Sequence, residues 1–240
     1  MKNYKTILIL PLLFLLLGCI NRVAVGPTLT DSQTVELGDI DSVQVDIKMG
    51  IGELDISSGS ANLMDAEFTY NIEDWRPEVL FEQRGSRGEL TVSQPEGEIN
   101  GIPDDNIEYR WLLILYDDIP MDMDVDLGVG ESDLNLSGLD LQSLVVDTGV
   151  GEATIDLTGE WPESFDVSID GGVGETTVYL PENVGLRLEA DTGIGSLVVN
   201  GLQKEGDSNV YTNAAYGESE VDITLDINGG IGQITVQVGR

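Results

Sequence analysis

The stretch VVDTGVGEAT, residues 145–154, can be read in two ways, and the choice between them decides the fold. It contains Asp147-Thr148-Gly149, the tripeptide that carries the catalytic aspartate of aspartic proteases, and a second copy stands at Asp191-Thr192-Gly193. The surrounding frame recurs, always with one small apolar residue between two glycines. The copies are Lys48-Met49-Gly50-Ile51-Gly52-Glu53, Asp126-Leu127-Gly128-Val129-Gly130-Glu131 and Asp147-Thr148-Gly149-Val150-Gly151-Glu152. They continue as Asp170-Gly171-Gly172-Val173-Gly174-Glu175, Asp191-Thr192-Gly193-Ile194-Gly195-Ser196 and Asn228-Gly229-Gly230-Ile231-Gly232-Gln233. The aspartate gives way to Lys or Asn, and the threonine to Met, Leu or Gly, while both glycines persist. A catalytic carboxylate does not tolerate replacement by lysine; a bend that requires glycine behaves in this way. The two Asp-Thr-Gly copies are also only 44 positions apart, too close for each to lie in its own lobe, as a pair of carboxylates sharing one proton would require.

The frame centres fall at 51, 129, 150, 173, 194 and 231, and steps of 21, 23 and 21 join the middle four. Periods of this size signal stacked repeats. Apolar residues alternate around each centre, as half-buried strands require. In the third copy Leu144, Val146, Thr148 and Val150 share one face, and Ala153, Ile155 and Leu157 follow on the opposite parity, so one extra residue enters at Gly151-Glu152. Glycine reaches positive φ cheaply, which suits it to a bulge or a corner between two strands. Each repeat therefore reads as strand, Gly-x-Gly corner, strand and turn, and repeats stacked about 4.8 Å apart would build an all-β coil filled by Val, Ile and Leu. A β-sandwich or a meander of hairpins remains an alternative. The last step of 37 residues accommodates a polar insertion from about Gln203 to Glu220.

The N-terminus has Lys2 and Lys5, an apolar run from Ile7 to Leu17, and then Gly18-Cys19. A basic start followed by an apolar segment too short to span comfortably describes an export signal over residues 1–18. Leu16-Leu17-Gly18-Cys19 resembles the bacterial lipobox, which implies cleavage before Cys19, attachment of lipid such as palmitate to that residue, and a tether over residues 19–33. A plain signal peptide or a membrane anchor is the alternative. Cys19 is the only cysteine, so no intramolecular disulfide forms. The processed chain carries 9 Lys and Arg against 44 Asp and Glu, a balance of −35 that excludes nucleic acid as a partner. The 41% hydrophobic content nevertheless demands a packed core.

Residues 59–125 depart from the repeat and hold Trp75, Trp111, Tyr70, Tyr109 and Tyr116; with the first Gly-x-Gly copy they belong to an N-terminal β segment over residues 34–125. Glu78-Val79-Leu80-Phe81-Glu82 and Glu89-Leu90-Thr91-Val92 read as strands, and the continuous apolar run Trp111 to Tyr116 reads as a buried one. This segment is expected to close one end of the coil, where open strand edges would invite aggregation. The repeats proper occupy residues 126–240, continuous with it.

Several of these motifs together resemble a known family. Met49-Gly50-Ile51-Gly52-Glu53-Leu54, Phe68-Thr69-Tyr70-Asn71, Trp75-Arg76-Pro77 and Glu89-Leu90-Thr91-Val92 look like the N-terminal toast-rack domain. Asp117-Asp118-Ile119-Pro120 and the Gly-x-Gly-Glu copies that follow are similar to its C-terminal continuation. The wider group includes LiaF-like cell-wall-stress domains and the so-called "putative adhesins". The resemblance implies a right-handed single-stranded β-helix or β-roll on the outer face of a bacterial membrane, and it brings no catalytic residues with it.

The chain has no histidine, and its one cysteine is assigned to lipid, which removes the commonest general base and the usual zinc ligands. Lys48 and Lys204 lack the apolar surroundings that would make either a base for a serine nucleophile. In-register stacking would place Asp126, Asp147, Asp170 and Asp191 in one column and Glu131, Glu152 and Glu175 in another. Like charges about 5 Å apart repel by roughly 0.8 kcal/mol in water, a cost that calcium could relieve. The reading is a noncatalytic, lipid-anchored envelope protein without a cofactor, serving binding, adhesion or stress sensing. Its partners would be the membrane, through the lipid, and an envelope protein or a cell-surface glycan. The candidate contact surfaces are the flat flank of the coil and the aromatic-bearing end near Trp75 and Trp111. A carbohydrate-active enzyme or a calcium-dependent glycan-binding module is the alternative.

Overall fold

Alternating apolar residues and paired glycines together produce long strands that bend once and keep going. The computed structural model describes residues 25–95 and 106–240. The first half of the chain forms β1 (Leu29–Val35), β2 (Ser42–Ser58), β3 (Met64–Tyr70), β4 (Glu78–Arg84), β5 (Arg87–Ser93), β6 (Tyr109–Leu115) and β7 (Pro120–Asn135). The second half forms β8 (Asp140–Asp156), β9 (Phe165–Asp170), β10 (Val173–Leu180), β11 (Gly185–Asn200), β12 (Gln203–Lys204), β13 (Val210–Thr212) and β14 (Asp222–Val238). β1 starts at Leu29, inside the stretch expected to be tether. It is a polar strand with no apolar alternation to betray it, held to β3 by antiparallel pairing from Leu29↔Tyr70 to Val35↔Met64. The signal-peptide reading and Cys19 lie outside the described residues. Among the described residues no helix is long and apolar enough to cross a membrane.

The long strands β2, β7, β8, β11 and β14 each carry one Gly-x-Gly corner and stack in parallel register. Ile51 pairs with Val129, Val129 with Val150, Val150 with Val173, Val173 with Ile231, and Ile231 with Ile194. The six corners therefore form one column. The stretches before the corners make one layer and those after it another, as β9 and β10 show by pairing separately with the two halves of β8 and β14. Both layers contribute to one core, with Val45, Ile47, Met123, Val146, Ile169 and Leu225 facing Leu54, Ile56, Leu134, Ile155, Val178 and Val236.

The spatial order differs from the sequence order at one place. β14 lies between β10 and β11, so the last repeat of the sequence fills a slot that the chain first skips. The polar insertion forms β12 and β13, and β13 covers the first half of β11 through Arg187↔Thr212 and Glu189↔Val210. At the opposite end β5 pairs with the first half of β2 and β6 with its second half. Beyond these, β4 extends one layer, and β3 and β1 extend the other. Trp111 is fully buried there, edge-on to Phe68 with ring centres 5.6 Å apart, and Trp75 packs on Tyr109. The run from Trp111 is not buried throughout. Its side chains alternate, and Leu112 remains exposed because only one face of β6 meets the core.

Candidate functional site

At each corner the chain passes so close to the next layer that a side chain cannot fit. A Cβ placed on Gly151 would sit 1.8 Å from the Gly130 carbonyl oxygen, and one on Gly174 would sit 1.8 Å from that of Gly151. Both residues also have φ of +146°, a conformation that glycine alone adopts freely. Two glycines are consumed in the turn, so the core face stops at Thr148 and resumes at Ala153. Val150 does not share that inward face, contrary to the alternation read from sequence; it projects outward from the convex side of the bend.

The consequence is an exposed apolar ridge. Val129, Val150, Val173, Ile231 and Ile194 are 50, 50, 46, 51 and 72% exposed, and the half-buried Ile51 begins the row. With five steps of about 4.8 Å the ridge is roughly 24 Å long. Bare glycine backbone borders it on both sides. Inside the bend a narrow cavity of about 40 Å³ runs beneath the ridge, lined by small side chains such as Ser132, Ala153 and Thr176. The Ser132 hydroxyl there has no hydrogen-bond partner among the described residues.

Two rows of outward-facing polar side chains flank the glycines. One reads Glu53, Glu131, Glu152, Glu175, Gln233 and Ser196 in spatial order, so the expected glutamate column is present with Glu53 added. The other reads Lys48, Asp126, Asp147, Asp170, Asn228 and Asp191. The expected four-aspartate column is thus corrected: Asn228 separates Asp170 from Asp191, because β14 is inserted out of sequence order. Partial burial pushes the Asp147 carboxyl above its ordinary range, and Asp170, Asp126 and Asp124 push it the same way. Asp147 and Asp191 stand three layers apart, about 14 Å, so the two Asp-Thr-Gly tripeptides cannot share a proton. Among the described residues no three acidic side chains converge closely enough to hold a metal ion. The columns are linear, and calcium requires ligands gathered around a point.

The ridge ends at β2, where a side chain replaces the missing layer. The Gln94 side-chain oxygen accepts hydrogen bonds from the Gly50 and Ile51 amides at 2.9 and 3.1 Å. Beside this cap lies a groove of about 830 Å³, where Ile51 and Val129 meet Ile107 and Leu112. Its polar lining includes Glu53, Glu67, Glu108 and Glu131, together with Arg110, whose guanidinium donates to Asp55 at 2.7 Å. Neither Gln94 nor the groove was foreseen, since a lone glutamine in a polar loop carries no pattern. Trp75 and Trp111 are core residues, which removes them as a contact surface. Lys204 lies 5.6 Å from the Tyr211 ring centre, and Lys48 heads the aspartate column.

With this geometry in hand, comparison with known proteins assigns the family. Residues 24–179 match the family described as "N-terminal domain of toast_rack, DUF2154". The chain belongs to the toast-rack family. Residues 128–236 of this toast-rack protein also match the family described as "Cell wall-active antibiotics response LiaF, C-terminal". The crystal structure of a "putative cell adhesion protein" from Clostridium sporogenes ATCC 15579 is 33% identical to it, covering 89% of this chain and 100% of that one, with a TM-score of 0.86. A "putative adhesin" from Bacteroides fragilis NCTC 9343 is 11% identical over 90% of this chain and 99% of that one, with a TM-score of 0.28. No curated protein is significantly similar to the chain.

Proposed function

We propose that this toast-rack protein is a noncatalytic, lipid-anchored binding module of the bacterial cell envelope, serving adhesion or stress sensing. The observation that carries the reading is the ridge itself. A protein of net charge −33 that keeps a continuous row of Val and Ile in solvent spends surface on an apolar contact that its own fold leaves uncovered. The matches to the toast-rack and LiaF families, and the likeness to a structure named for cell adhesion, support binding or sensing at the envelope.

In this reading residues 1–18 direct export and Cys19 receives the lipid. The tether expected over residues 19–33 is then shorter, since the Gly26 amide already donates to the Asn71 carbonyl at 2.7 Å and β1 is folded. The aromatic-rich part up to residue 125 and the repeats from 126 onward act as one rigid unit, wound as a right-handed roll. No catalytic, cofactor or metal residue is assigned. The rigid stack suits the display of a fixed row of side chains, because each layer is locked to the next by glycine contacts.

Three measurements test this. Fractionation of cells expressing the Cys19→Ser chain should move the protein out of the membrane fraction; retention at the membrane would remove the lipid anchor from the reading. Chemical cross-linking on intact cells should trap an envelope protein or a cell-surface glycan on the parent and lose it on a Val129→Ser, Val150→Ser, Val173→Ser triple variant. Turnover of a cell-wall or plant polysaccharide, abolished by Glu53→Gln or Glu131→Gln, would overturn the noncatalytic assignment.

A further inference from the structure

The ridge is long and chemically consistent enough to specify its occupant. We infer that it binds a cationic amphipathic helical segment, with the helix axis along the ridge and Lys or Arg on both flanks. The inference rests on the binding-module reading and names the partner's chemistry.

Three observations select this occupant. First, the centre line is uniformly apolar: Ile51, Val129, Val150, Val173, Ile231 and Ile194, with no polar side chain interrupting it. Second, both flanks are acidic, Glu53 to Glu175 on one side and Asp126 to Asp170 on the other, and stacked carboxylates one layer apart repel each other. A cation seated between two layers relieves that repulsion on each flank, so charge complementarity favours a partner with basic residues on either side of an apolar stripe. The groove at the β2 end continues the same chemistry, with Ile107 and Leu112 beside Glu67 and Glu108. The basic side chains nearby do not compensate: Arg110 is engaged by Asp55, and Lys48 stands at the end of its row.

Third, the spacing discriminates between conformations. The knobs repeat every ~4.8 Å, and the turns of a helix lying along the row repeat every ~5.4 Å. Over five steps the mismatch is about 3 Å. An extended strand presents same-face side chains every ~6.7 Å and drifts by about 10 Å over the same length. At ~1.5 Å per residue, some 16 residues of helix cover the ridge.

The test uses the full chain in nanodiscs of zwitterionic lipid, with empty nanodiscs as the reference for lipid binding. The probe is a fluorescent 18-residue helical peptide of Leu and Lys, with Leu in a single stripe and Lys on both sides, followed by anisotropy. The chain should bind it with micromolar Kd at low salt. The Val129→Ser, Val150→Ser, Val173→Ser triple variant should weaken binding at least tenfold. A Glu131→Gln, Glu152→Gln, Glu175→Gln variant should weaken it comparably and flatten its salt dependence. All six substitutions are at exposed positions, and circular dichroism checks that each variant folds. Equal binding of a Leu–Glu peptide of the same stripe, or of a Leu–Lys peptide with the stripe scrambled, would overturn the inference. So would undiminished binding by the ridge variant, or no binding above empty nanodiscs. If intact-cell cross-linking still traps a partner at the ridge while the peptide is ignored, the inference fails and the binding-module reading stands. If neither occurs, both fail.

Discussion

Replacement of Gly151 by alanine tests the close-approach argument at its centre. The new Cβ would lie 1.8 Å from the Gly130 carbonyl oxygen, where ordinary contact begins at 3.4 Å, so about 1.6 Å of overlap must be relieved. The obstacle is backbone on the adjacent strand, and that strand is itself locked onto Gly52 in the same way. Moving it disrupts the ladder that joins the two strands, where losing a pair of hydrogen bonds costs about 2 kcal/mol. Holding alanine at φ of +146° adds roughly 1–3 kcal/mol of backbone strain. The expected loss is therefore about 3–5 kcal/mol, enough to unfold a marginal protein. Gly85→Ala is the control, because Gly85 has φ of +69° and nothing within 4 Å of its Cβ position, so only a conformational cost of about 1–2 kcal/mol applies. Urea denaturation followed by circular dichroism, with the two variants beside the parent, measures both losses. If Gly151→Ala costs no more than Gly85→Ala, the corners are not packed against one another and the column loses its physical basis.

Three further outcomes follow from the charges and the core. Asp147→Asn should raise stability at pH 7 by up to ~0.5 kcal/mol, because the folded-state pKa is raised and ionisation above it opposes folding; solvent screening keeps the effect small. As pH falls through 3.8 the carboxyl becomes protonated in the unfolded state as well and the gain should fade, so melting temperatures at pH 7 and pH 3 settle the sign. Asp31 behaves oppositely. Its hydrogen bond from Arg76, at 2.7 Å, holds its carboxyl below the ordinary range, so Asp31→Asn should cost about 0.5 kcal/mol at neutral pH. That loss should disappear as pH falls from 3.8 through the lower folded-state value, in the same melting experiment. Trp111→Phe should cost less than Trp161→Phe by about 1 kcal/mol in urea denaturation. The Trp111 Nε1 is buried without a partner among the described residues, whereas that of Trp161 donates to the Leu157 carbonyl at 2.9 Å.

What could be read from the sequence and what could not divides along a physical line. The corners were legible because each one repeats a local requirement, and the glycines persist when every other residue in the frame changes. The position of β14 was not legible, because identical corners stack equally well in any order, and local pattern says nothing about which neighbour a strand meets. Its only trace is the long step holding the 203–220 insertion, which gives the chain enough length to pass β11 and return to the skipped slot. The outward aim of Val150 was missed because alternation counts residues, whereas two glycines at a bend rotate the chain without adding a side chain to either face. That same geometry explains why the ridge exists. The residue between the glycines points away from the core, and its neighbours along the chain carry no side chain that could cover it. Stacking sets these residues in line, so an uncovered row is built into the corner geometry itself, while its apolar character is a property of the sequence. The flanking positions are free of that constraint, since Lys, Asp and Asn all occur in one row and Glu, Gln and Ser in the other. In the proposed binding role, the chemistry that would select a partner is therefore written in the flanks, where the fold leaves the sequence free to vary.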